Sequence, residues 1–135
     1  MKRQRMYLAV WNNGKCPVQQ FICGLPNRCR EKLLYELQLL ENDPGLGPPH
    51  VKAIRVSPGL YELRARLGQM IRILFLQAAD GTPVLLCGFQ KRHDRDLNRG
   101  LREAAALRAA LASGGAYLQN FERKDYENEE MEPPV

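Results

Sequence analysis

The sequence has no apolar run approaching the roughly 18 residues that a membrane span requires, and its basic start, MKRQRMYLAV, lacks the long apolar stretch of a secretory signal. These absences predict a cytoplasmic chain with no membrane association. Cysteine is sparse, and Cys16, Cys23, Cys29 and Cys87 are too widely spaced for a CxxC metal knuckle. Reduced thiols filling small core spaces are the expectation, with no metal and no cofactor. A length of 135 residues predicts one domain with no obvious room for a second, and 44% hydrophobic content suffices for one packed core.

Acidic residues are scarce in one part of the chain and crowded in another. Residues 1–121 carry 18 Lys and Arg against nine Asp and Glu, whereas ERKDYENEEMEPPV, from Glu122 onward, carries six acids and two bases. A body with that excess of positive charge is drawn to polyanions, nucleic acid being the commonest, because neutralising phosphates releases counterions. Plain solubility is the alternative reading of the same excess.

The hydrophobic period changes along the chain. RMYLAVW is β-prone and ends at the turn signal NNGK. CPVQQFICGL places Pro17 at a first helical position, with Val18, Phe21, Ile22 and Leu25 at helical spacing. PNRCREKLLYELQLLEN repeats the arrangement, with Cys29, Leu33, Leu37 and Leu40 in one apolar stripe and Arg28, Lys32 and Glu36 mostly outside it. Two consecutive helices forming a hairpin are predicted, followed by the loop NDPGLGPPH and the short run VKAIRV. Then LYELRARL alternates with period two, Gly68-Gln69 makes a hairpin link, MIRILFLQAA is a buried strand, Asp80-Gly81 turns the chain, and PVLLCGFQK is another buried strand. A loop centred on Gln69 would set Arg66 opposite Arg72. Finally Leu97, Leu101, Ala104, Leu107 and Leu111 recur at helical spacing up to the stop SGG, with Asp94 or Asp96 able to cap the start. One short helical turn is expected around AYLQNF. The fold class is therefore α+β, a small twisted antiparallel sheet with an N-terminal helical hairpin and a C-terminal helix. Residues 1–113 form the domain and 114–135 a C-terminal extension, acidic and partly disordered.

GLYELRAR, IRILF and DGTPVLLCGFQKR, followed by a helix rich in Ala, Leu and Arg, resemble the RelE/HigB branch of the RelE/ParE toxin superfamily, in particular its phage-derived HigB-like group. The similarity runs over about residues 5–113, with the blocks in order. It implies the toxin of a type II toxin-antitoxin system, partnered by an antitoxin with a helix-turn-helix domain. It further implies a ribosome-dependent mRNA endoribonuclease in which a ribose 2'-hydroxyl attacks the adjacent phosphate without a metal. Such a reaction needs a base for the hydroxyl, cations for the charge gathering on phosphorus oxygens, and an acid for the leaving oxygen. Arginine suits the cation role because its planar fork stays charged and grips phosphate bidentately.

On this resemblance Arg64 matches a basic position that supports catalysis, and Lys91 and Arg92 match a basic pair at the end of the last strand. Arg72 interrupts an apolar strand, where a charge is costly without a partner or a use; the alternative is a structural ion pair with Glu62. His93 follows the basic pair and has the intrinsic pKa best suited to proton transfer, and His50 is expected to approach the same face. Lys52, Arg55 and Arg66, together with Arg95 and Arg99 on a basic helical face shared with Arg102, are read as substrate contacts. The family's K-K-T block, followed by a Pro-containing step, is here QKRHDRDLNRG. Its C-terminal tyrosine or Asp-Tyr-His cluster has no clean equivalent, His93 and Asp94 being nearest by position and Tyr117 remote. The other readings are a non-nuclease inhibitor of a host protein, as in the gyrase-directed ParE branch, and an RNA-binding phage-derived regulatory protein.

Overall fold

A computed structural model describes residues 5–43 and 45–127. Its elements run β1 (Tyr7–Trp11), α1 (Pro17–Cys23), α2 (Asn27–Asn42), β2 (Val51–Ala53), β3 (Leu60–Arg66), β4 (Met70–Gln77), β5 (Pro83–Gln90), α3 (Asp94–Ser113) and β6 (Ala116–Asn120), then a 3-10 turn at Arg123–Asp125. All six strands join one sheet in the order β2-β3-β4-β5-β1-β6. The expected α+β class and the β3-β4-β5 meander are present. The sheet is mostly antiparallel, with one parallel pair, β1 against β5. Two helices and three strands separate those two strands in sequence, a connection long enough for a parallel crossover.

The sheet divides the apolar interior into two layers. Tyr61, Leu63, Ala65, Ile71, Ile73, Phe75 and Leu85 face the α1–α2 hairpin, whose Val18, Ile22, Leu33, Leu37 and Leu40 are wholly buried. Burying one such side chain contributes about 2 kcal/mol. Leu60, Leu74, Leu86, Cys87 and Phe89 face the other way, onto Ala104 and Leu107 of α3. A register shift explains why Leu86 and Cys87, neighbours in sequence, share that face. Leu74 pairs with Cys87 and Phe75 with Leu85, so Leu86 is an extra residue on β5 and the alternation reverses there. The bulge turns Phe89 towards α3, where Gly100 admits its ring. A Cβ at Gly100 would lie 2.7 Å from a Phe89 ring carbon.

Several expectations are corrected. Within AYLQNF, residues Ala116–Asn120 form β6 in place of a helical turn. Gly114, at φ 89°, ends α3 in the left-handed region, and the chain then satisfies the second edge of β1 along a ladder from Tyr7↔Asn120 to Trp11↔Ala116. The fold therefore continues past residue 113. Phe121 and Tyr126 are buried in the α1–α2 layer and stack with ring centroids 5.3 Å apart. Of the segment expected to be acidic and partly disordered, residues 128–135 lie outside the described residues. Cys23 is exposed rather than core-filling, because it ends the short helix α1 on its outer side, while Cys16, Cys29 and Cys87 are buried. Glu36 is buried instead of lying outside the α2 stripe. Spaced three residues after Leu33 and four before Leu40, it faces the sheet with them.

Candidate functional site

Alternation along β3 turns Glu62, Arg64 and Arg66 to the face that α3 shares. That helix packs chiefly over β5, β6, β1 and the near part of β4, so the β3 end of the face keeps its own polar side chains. The hairpin after β3 pairs Arg66 with Met70 and Arg64 with Arg72. This corrects the expected Arg66–Arg72 pairing: the turn is centred on Gly68, whose φ of 67° suits the tight reversal. Two guanidinium groups thus start from directly opposed positions, about 5 Å apart at Cβ. Like charges so placed repel unless something lies between them.

Glu62 supplies the counter-charge. Its carboxylate accepts from Arg64 Nε at 3.1 Å and from Arg72 Nη1 at 2.5 Å. The Glu62 and Arg72 side chains are 3% and 7% exposed, whereas that of Arg64 is 34% exposed. The ion pair that offered a purely structural reading of Arg72 is therefore present, yet two arginines share one carboxylate. Arg72 Nε, shielded from solvent, has no hydrogen-bond partner among the described residues. A buried donor in that state costs about 1–3 kcal/mol.

Register brings other cations to this cluster. Lys52 lies across from Glu62 on β2 and is exposed. Arg66 donates its Nε to Met70 Sδ at 3.3 Å, and the Lys91 N–H donates to the Met70 carbonyl at 2.8 Å, so Arg66, Met70 and Lys91 form the next row of the sheet. The Lys91 ammonium stands 3.6 Å from the exposed Asp94 carboxylate. Arg92 is exposed and donates to Gln90 Oε1 at 2.9 Å. His93, also exposed, opens α3. The Asp96 carboxylate accepts the Arg92 and His93 N–H groups at 2.9 and 3.0 Å. Asp96 rather than Asp94 thus secures the helix start, and those two N–H groups, Arg92's first, hold its carboxyl below the usual range.

The remaining candidates stand apart. Arg55 is exposed in the turn after β2, beyond the Ala53–Tyr61 pair, roughly 15 Å along the strand direction from Arg64. Arg108 on α3 reaches the Pro58 carbonyl at 2.9 Å, which identifies the flank of α3 that looks towards β3. At 100° per residue, Arg95, Arg99 and Arg102 fall on the opposite flank. Arg99 pairs with Asp96 at 3.1 Å, and Arg99 and Arg102 rim a shallow recess with Gly88, Phe89, Gly100 and Glu103. The helical basic face therefore does not continue the arginine cluster.

His50 does not approach the arginine face either. Its carbonyl accepts the Arg64 N–H at 2.8 Å, but its ring turns to α2, where Nδ1 meets Glu36 Oε1 at 2.9 Å. Glu36 also takes Lys32 at 3.2 Å. The attraction of a buried carboxylate for a hydrogen-bonding ring decides the orientation. Sequence reading missed Glu36 as that partner, although its position within the Leu33–Leu40 spacing was a signal. Among the described residues no three His, Cys, Asp or Glu side chains are grouped to hold a metal ion, and no helix is long and apolar enough to cross a membrane.

A family described as "Phage derived protein Gp49-like (DUF891)" has a model that matches residues 20–108. The chain belongs to this family. The match takes in the hairpin α1–α2 from Gln20, strands β2 to β5, and α3 as far as Arg108, and so includes Glu62, Arg64, Arg72, Lys91, Arg92 and His93. It agrees at family level with the toxin-like resemblance of the sequence. No curated protein matches the chain. For this Gp49-like chain, the geometry sets out an electropositive sheet face whose arginines are shared by one buried carboxylate.

Proposed function

We propose that the chain is the toxin of a toxin-antitoxin pair and acts as a ribosome-dependent endoribonuclease on mRNA. The single observation that carries this reading is the opposed Arg64–Arg72 pair, with the Glu62 carboxylate the counter-charge shared by the two guanidinium groups among the described residues. One carboxylate leaves net positive charge, and planar guanidinium forks suit the oxygens of a phosphodiester. Arg64 and Arg72 would stabilise charge as the 2'-oxygen attacks phosphorus and the 5'-oxygen departs. Lys52, Arg66 and Lys91 would hold the flanking backbone, while Arg92 and His93 lie at the adjoining helix start. His93 remains the candidate for proton transfer, since His50 is committed to Glu36 on the other side of the sheet. The cytoplasm, with the ribosome and a cognate antitoxin of helix-turn-helix type, is the setting this activity requires.

The experiment is inducible expression with primer-extension mapping of mRNA ends, comparing the natural chain with Arg64→Ala and Arg72→Lys. New ends that depend on both arginines are expected. Growth arrest without new ends would sink the nuclease reading and leave a host-protein inhibitor. Cleavage indifferent to either substitution would show that the cluster is not the site.

A further inference from the structure

Glu62 has a place in the site that its pairing alone does not describe. It accepts one N–H from each arginine, and both of its own oxygens are used. Arg72 is almost wholly buried, with Nη1 spent on Glu62 and Nε without a hydrogen-bond partner among the described residues. In this state the cluster is already neutralised in part, by an anion that belongs to the chain. A phosphate arriving at Arg64 and Arg72 meets a competitor tethered to the same strand, and a tethered competitor acts at an effective concentration in the millimolar range or above.

We propose that Glu62 is a built-in counter-ion that occupies the two arginines in the resting protein and yields them to the substrate phosphate. It is thereby a specificity-determining residue. Free phosphate and small anions compete weakly with the carboxylate and displace it only at high concentration. A polyanion that also engages Lys52, Arg66 and Lys91 gains an effective concentration of its own and prevails. The orphan Arg72 Nε becomes a donor to the incoming phosphate once the guanidinium turns from Glu62. This inference rests on the reading of the cluster as a phosphate site and adds the regulation of that site.

The test uses the full chain at constant ionic strength, with chloride exchanged for inorganic phosphate and binding followed through the arginine Nε–Hε resonances. Glu62→Gln keeps the shape and removes the charge. Coulomb repulsion of an anion by a carboxylate a few ångströms away is then lost, and phosphate affinity should rise at least tenfold, the gain vanishing in Glu62→Gln/Arg72→Lys. Affinity that is unchanged or weaker in a folded Glu62→Gln protein overturns the proposal, since Glu62 would then position the arginines without competing for them. A second measurement needs no variant. In the natural chain at saturating phosphate, the Glu62 side-chain carboxyl carbon and Arg72 Nε–Hε should shift with one common midpoint, and a Glu62 signal that stays still overturns the proposal. The underlying site reading fails separately: neither protein would then bind phosphate at Arg64 or Arg72 at all.

Discussion

Replacing Arg72 with Met removes a charge but little volume, and its cost follows from the burial of what remains. Breaking a buried ion pair by deleting one partner costs about 3–5 kcal/mol, because the other charge stays behind. Here Glu62 keeps Arg64 at 3.1 Å, and the unsatisfied Arg72 Nε disappears with the side chain. Both effects soften the loss, to about 2–3 kcal/mol. For a domain of this size, at about 3–5 °C per kcal/mol, Tm should fall by about 10 °C. Arg64→Met should cost no more than about 1 kcal/mol, since that side chain is one-third exposed and water replaces most of its contribution. Urea denaturation of both variants and of Glu62→Leu/Arg72→Met measures the three values. The double variant should recover most of the Arg72→Met loss, because no buried charge is left unpaired. Equal costs for the two single variants, or an Arg72→Met cost below that of Arg64→Met, would refute the reasoning from burial. A recovered double variant that makes no new mRNA ends would separate function from folding.

Other perturbations have equally definite outcomes. Gly100→Ala drives a methyl against the Phe89 ring and should destabilise by about 1–3 kcal/mol in thermal denaturation; a neutral result would show that the ring moves freely. Asp96 has a lowered folded pKa, so its contribution is present above the unfolded value near 4 and is lost as pH falls through the folded value. Asp96→Asn should accordingly flatten the acid limb of the stability profile below about pH 4, and an unchanged limb would deny Asp96 that role. Tyr126→Ala removes a ring stacked on Phe121 in the core and should cost about 3–5 kcal/mol. A chain ending at residue 113 should lose cooperative unfolding, as seen by circular dichroism, because β1 is left with an open edge.

Local rules carried much of the architecture. Period-two alternation in residues 60–67 placed Glu62, Arg64 and Arg66 on one face, and the DG pair fixed the second hairpin. Where the reading failed, a distant partner had decided the outcome. AYLQNF has no strong local preference and became a strand because β1 had an unsatisfied edge. Glu36 and His50, 14 residues apart, met across the end of α2 and the loop that follows it. The outward flank of α3 was legible as basic, but on which side of the helix the arginine cluster lies depended on how α3 crosses the sheet.

By itself the sequence determined the element types from β1 through α3, a toxin-like family resemblance and the excess of positive charge, because period, turn residues and composition are properties of short segments. Only the tertiary structure decided that Arg72 faces Arg64 rather than Arg66, that a single buried carboxylate serves both, and that Arg95 and Arg99 look elsewhere. The physical reason is that register, bulges and helix flanks are set by long-range pairing and packing. A shift of one residue in a strand sends a side chain to the opposite face of the sheet.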